Sequence, residues 1–108
     1  MDADFIHDLF AEFGPVAVRR MFGGAGIYAD GVMFALVARE HLYLKADPGD
    51  ERFLREGCIP FSYAAKAGQR TITSYRRVPD RLHDNPAELA EWARLALAVA
   101  RAAGRRKR

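Results

Sequence analysis

The sequence predicts an α+β fold: a two-layer α/β sandwich built on one antiparallel sheet, with helices mainly on one face. Three observations predict it. Apolar residues recur at helical spacing near both ends of the chain, at Phe5, Ile6, Leu9, Phe10 and Phe13 and again at Leu89, Trp92, Ala96 and Val99. Between them lie strand-like runs rich in β-branched and aromatic residues. Within each strand group those runs are separated by turns too short for a crossover, so neighbours there must be antiparallel. The expected element order is α-β-β-β-α-β-β-α.

Each element has a local reason. The first helix spans 4–13, with Asp2 or Asp4 as its cap and Gly14-Pro15 as its stop. Residues 16–22 read as extended. The glycines at 23–26 interrupt or bend that strand, and it resumes over 27–29. Asp30-Gly31 is a strong two-residue hairpin signal. Residues 32–38 are apolar on both alternating sets, Val32, Phe34, Leu36 and Ala38 on one and Met33, Ala35 and Val37 on the other. Such a strand wants cover on both faces. If helices cover one face, Met33, Ala35 and Val37 still need cover, and two stand open: a homodimer contact, or a loop or the third helix crossing that face. Arg39-Glu40 makes the next tight turn. Beyond it Leu42, Leu44 and Ala46 face one way while His41, Tyr43 and Lys45 face the other. Asp47-Pro48-Gly49-Asp50 opens a short helix that Gly57 ends. Residues 60–66 and 70–78 form a further hairpin, and Pro79 closes it. Asn85 caps the last helix with Pro86 at its first position. That helix runs to about Ala103, with Gly104 as its stop.

At 108 residues, half of them apolar, the chain is sized for one core. We expect a single domain over 1–104 and a basic tail of Arg105, Arg106, Lys107 and Arg108. The formal charge of +3 belongs to that tail, since the remaining residues carry 13 basic groups against 14 acidic ones. The basic residues of the body still cluster. Residues 13–29 hold Arg19 and Arg20 with no acid, and residues 57–79 hold Lys66, Arg70, Arg76 and Arg77 with no acid. The chain has no apolar run of membrane-spanning length. Its opening Met1-Asp2-Ala3-Asp4 lacks the basic start of a secretory signal. The expected compartment is the cytoplasm. Lone Cys58 reads as a small buried hydrophobe.

Few constellations carry chemistry. Gly23, Gly24 and Gly26 beside Arg19 and Arg20 resemble a phosphate cradle in composition. They lack a Lys-Ser/Thr ending and precede a strand rather than a helix, so a bulge or sharp bend is favoured. His7, His41 and His83 lie on separate elements without metal-ligand spacing. Ser62 and Ser74 have no nucleophile-elbow setting. Asp47 and Asp50 read as turn and helix-start residues. Neither an enzyme nor a bound cofactor or metal is expected. Tyr28, Tyr43, Phe61, Tyr63 and Tyr75 interleave with Arg70, Arg76 and Arg77 on strands. That pattern suits nucleic-acid stacking or a protein–protein surface. For any one of these residues the plainer outcome is a sheet face with arginines reaching to water.

The run Arg19-Arg20-Met21-Phe22-Gly23-Gly24, then Gly26-Ile27-Tyr28, then Asp30-Gly31-Val32-Met33-Phe34-Ala35-Leu36-Val37, resembles the N-terminal domain of the TfoX/Sxy family. Leu42-Tyr43-Leu44-Lys45, Pro60-Phe61-Ser62-Tyr63, Ser74-Tyr75, Val78-Pro79 and the Trp92 helix agree, so the resemblance covers nearly the whole chain. It implies the same two-layer order. Founding members of that family regulate natural competence by assisting transcription of DNA-uptake genes, and the family carries no established catalytic residues. Long members add a second, helical domain, where this chain has Arg105 to Arg108. The resemblance therefore implies a small non-enzymatic regulatory domain acting through an unknown protein partner, with a homodimer also open. Its expected contact surface comprises Arg19, Arg20, Gly23, Gly24, Gly26, Tyr28, Tyr43, Arg70, Arg76 and Arg77. The alternative is direct nucleic-acid binding by the basic strands and the tail.

Overall fold

The computed structural model describes residues 1–21, 23–47 and 49–106. Helix α1, Ala3–Leu9, is capped by Asp2, whose carboxylate accepts from the Phe5 amide at 2.9 Å. It is shorter than the expected 4–13, because turns take over after Leu9. Ile6, Leu9 and Phe10 are nonetheless buried as their spacing predicted, whereas Phe5 of the same set is exposed.

Four strands follow, where the sequence reading gave three. β1, Ala17–Met21, and β2, Gly24–Ala29, are separate antiparallel strands with Met21 paired to Gly24. The expected bend is thus a full reversal through a turn containing Gly23 at φ +71°, a conformation that costs glycine nothing. β3, Val32–Ala38, and β4, His41–Lys45, follow. The two turns joining β2 to β3 and β3 to β4 fall where expected. Asp30 and Gly31 have φ +51° and +76°, and Arg39 and Glu40 have φ +52° and +67°, the paired left-handed geometry of the tightest hairpins. Helix α2, Glu51–Arg55, is capped by Asp50, which accepts from the Arg52 amide at 3.0 Å. β5, Pro60–Ala65, and β6, Gly68–Arg77, form the last hairpin. A 3-10 turn over Asp80–Asp84 leads into α3, Pro86–Arg106. The Asn85 side chain accepts from the Glu88 amide at 3.3 Å and so caps α3. This helix runs through Gly104, which was expected to stop it and which lacks a positive φ. Lys107 and Arg108, half of the expected tail, lie outside the described residues.

Among the described residues the six strands make one antiparallel sheet in the order β1-β2-β3-β4-β6-β5. The fold class is α+β, as the sequence predicted. α1 and α3 pack on one face. Phe34 sits at the centre of that core with Phe10 and Phe13, its ring centroid 5.6 Å and 4.9 Å from theirs. Trp92 on α3 meets Phe53 on α2 edge-on at 5.0 Å. Cys58 is buried in the same core, and burial pushes its thiol pKa up.

β3 departs from strict alternation. Ile27 pairs with Ala35 and Tyr28 with Met33, so Phe34 is an extra residue between them. This bulge turns both Phe34 and Ala35 into the helix-side core, along with Val37. Met33, Leu36 and Ala38 are left on the other face, a different set from the one alternation gave. The third helix does not cross that face, as one of the two expected covers required. Instead Leu36, Tyr43 and Tyr75 bury one another there, only 5–8% exposed, beneath Phe61 and Ile72 of the last hairpin.

One ion cluster ties the helical layer together. Arg81 donates to Glu56 beyond α2 at 2.9 Å and to Glu88 on α3 at 2.8 Å. Hydrogen bonds from Arg81 hold both carboxyls below their usual pKa of about 4.5. A depressed carboxylate stabilises the fold above its unfolded pKa, and that contribution fades as pH falls through the folded value. Arg81→Gln should therefore lower Tm near neutral pH. The gap between variant and wild type should close as pH is taken below the ordinary carboxylate range. Thermal melts between pH 7 and pH 3 check this, and a gap that persists at the acid end contradicts the assignment.

Candidate contact surface

The sheet face away from the helices is built by side chains whose register puts them there. Arg19 lies opposite Gly26 on β1–β2, and Tyr63 opposite Arg70 on β5–β6. Tyr43 lies opposite Arg77 and Lys45 opposite Tyr75 on β4–β6. Arg19 stands over the Tyr28 ring at 5.1 Å and Lys45 over Tyr75 at 5.0 Å, so both cations are partly engaged by aromatic faces. Tyr43 and Phe61 meet edge-on at 5.2 Å, and Phe61 stacks near Tyr63 at 5.9 Å. The Tyr75 hydroxyl donates to the Met33 carbonyl at 3.4 Å, and burial pushes its pKa up to about 12, so it stays a neutral donor.

The sheet curls enough that β5 approaches the end of β1–β2. Between them runs a groove of about 650 Å³ lined by Met21, Leu36, Ala38, Phe61 and Tyr63, with Arg39 at one end. Met21 and Tyr63 stay well exposed at its rim, at 38% and 39%. Gly24 borders the same groove and packs hard against β3. A Cβ there would lie 2.1 Å from the Val37 carbonyl oxygen. Gly26 is buried beneath Met33 and Met21.

The structure thus gathers Arg19, Gly24, Gly26, Tyr28, Tyr43 and Arg70 onto one face and places Gly23 in the turn at its end. Arg20 and Arg76 do not join them. Arg20 pairs with Ala25 and so points to the helix side. Arg76 pairs with core residue Leu44 and donates to the Cys58 carbonyl at 3.0 Å. Arg77 is drawn to Asp80 at 3.4 Å. The groove residues Met21, Leu36, Ala38, Phe61 and Tyr63, and Arg39 beside them, were missing from the expected surface, although Phe61 and Tyr63 were noted among the strand aromatics. Met21 had a signal, being two residues from Arg19 on the same strand face. Leu36 was legible only once the bulge was known. Among the described residues no three His, Cys, Asp or Glu side chains are grouped to hold a metal. Among the same residues no helix is long and apolar enough to cross a membrane.

An open antiparallel sheet, backed by helices on one side and carrying an aromatic groove on the other, places the chain among small α+β domains with one bare sheet face. It belongs to the TfoX N-terminal domain family, which matches residues 8–100. Over 72 residues, 66% of this chain, it is 35% identical to the DNA transformation protein TfoX1 of Aliivibrio fischeri (strain ATCC 700601 / ES114). That match covers 34% of the relative, so the chain spans about a third of its length.

Proposed function

We propose that the chain is a non-enzymatic, competence-type regulatory domain that works in the cytoplasm by binding a protein partner through the open sheet face, without a cofactor. The observation that carries this reading is the groove itself. Met21, Phe61 and Tyr63 offer aromatic and thioether surface of the kind enriched in protein interfaces. Membership of the TfoX N-terminal domain family and similarity to a DNA transformation protein support the regulatory class.

Direct nucleic-acid binding has weaker support. Phosphate tracking needs cations along one path. Here Arg19 and Arg70 share a face with the groove while Arg20 and Arg76 lie behind the sheet, and Arg76 and Arg77 are engaged locally.

Capture from a native lysate, with and without nuclease, tests the two readings together. Met21→Glu and Tyr63→Glu alter exposed positions and should leave the fold intact. A partner that survives nuclease and is lost with either variant is the expected result. Capture that vanishes with nuclease, or that ignores both variants, would transfer the function away from the groove. Solution mass at high concentration separately decides whether a second copy is the partner.

A further inference from the structure

A second cavity, of about 750 Å³, lies between α1 and the β1–β2 turn, within the usual range of small-ligand sites. Ile6, Val18 and Val37 give it apolar walls, and Asp2, Arg20, Arg39 and Glu40 give it charge. The two acids are already engaged. Asp2 caps α1, and Glu40 accepts from the Met1 amino group at 2.7 and 2.8 Å. The two arginines are not: among the described residues neither Arg20 nor Arg39 has a hydrogen bond, ion pair or ring contact. Arg39 is also held at φ +52° in a turn whose second residue is likewise left-handed. Asn-Gly fills such a turn more easily. A costly backbone position that keeps an uncompensated guanidinium at a cavity mouth is the pattern of a ligand clamp.

We propose that this cleft binds the phosphate group of a small molecule, with Arg20 and Arg39 as the phosphate ligands and the apolar wall receiving the rest of the molecule. Guanidinium groups present paired donors matched to phosphate oxygens, and two cations balance one dianion. The glycines play a different part from the cradle their composition suggested. Gly24 and Gly26 are committed to strand pairing with Met21 and Ala38, and with Arg19 and Leu36. They clear space, while the arginines supply the charge. Arg39 also borders the groove on the open face, so a ligand in the cleft would touch the turn that edges the proposed contact surface. The binding claim does not depend on that surface.

Phenyl phosphate is the probe, followed by amide chemical shifts of the full chain at low salt. Saturable shifts are expected at Ile6, Val18, Gly23 and Ala25, and inorganic phosphate should compete. Arg20→Gln and Arg39→Gln should each weaken binding about fivefold or more, and Arg39→Lys should restore only part of it, because it keeps charge without the planar fork. Arg70→Gln, outside the cleft, should change affinity less than about twofold, a difference set by losing one paired cation. The same spectra report whether each variant is folded. Absence of saturable shifts, equal loss in Arg70→Gln, or benzoate binding as tightly as phenyl phosphate would overturn the proposal.

Discussion

Phe34→Ala is expected to cost about 4 kcal/mol, enough to lower Tm by roughly 20 °C in a domain of this size. Phe34 is fully buried and touches two other rings, Phe10 at 5.6 Å and Phe13 at 4.9 Å. Deleting its ring removes apolar burial and leaves a cavity between α1 and β3 that neither neighbour can fill without breaking its own contacts. The loss is a large fraction of the ~5–15 kcal/mol that holds a typical domain. A companion variant tests the cause. Ala35→Leu should also destabilise, by about 1–3 kcal/mol, because the bulge points Ala35 into the same packed layer. Strict alternation would instead put Ala35 on the open face, where added bulk is mild. Denaturant titration of both variants decides between the two arrangements. Phe34 faces the helices in either arrangement, so it is an Ala35→Leu protein as stable as wild type that would show the bulge to be misplaced.

That bulge also marks the limit of what the sequence disclosed. The class, the helix starts and two of the hairpin turns were legible because each rests on local chemistry. Asp2 and Asn85 cap where they should, and Asp30-Gly31 and Arg39-Glu40 reverse the chain where they should. The face assignment within β3 was not legible. Seven consecutive apolar residues give no alternation to read, and only the partner strand's register shows which residue is extra. The fourth strand of the first group was missed for a related reason. Glycines at 23, 24 and 26 look alike in sequence, yet one sits in a turn and two lie in β2. Of the residues expected at a contact surface, Arg19, Tyr28 and Tyr43 share the open face, while Arg20 and Arg76 fall to the opposite parity, which a list of residue types does not reveal. Arg39 was read only as a turn residue, because its further interest comes from a cavity and a backbone angle, neither of which is written in residue type.

The glycine motif itself makes the second large prediction, because its members should respond unequally to the same change. Gly24→Ala is expected to cost about 3 kcal/mol or more, a Tm loss of roughly 15 °C. Its new Cβ would lie 2.1 Å from the Val37 carbonyl oxygen and 3.2 Å from the carbonyl carbon. Both are backbone atoms of β3, so no rotamer change relieves the clash. Either β2 separates from β3 or the register gives way. Gly26→Ala meets the Met33 and Met21 sulfurs at 2.8 and 3.0 Å and the Tyr28 ring edge at 3.1 Å. Thioether side chains adapt readily, so the cost should stay near 1 kcal/mol or below. Gly23→Ala meets nothing within 4 Å but must hold φ +71°, which costs alanine about 1 kcal/mol. The order of damage is therefore Gly24 first, with Gly23 and Gly26 well behind. A phosphate cradle built from glycine backbone would predict the opposite signature, in which all three variants fold well and lose ligand. Thermal melts combined with the phenyl phosphate titration separate these cases. If Gly24→Ala melts like wild type, the close approach of β2 to β3 is not what fixes glycine at that position.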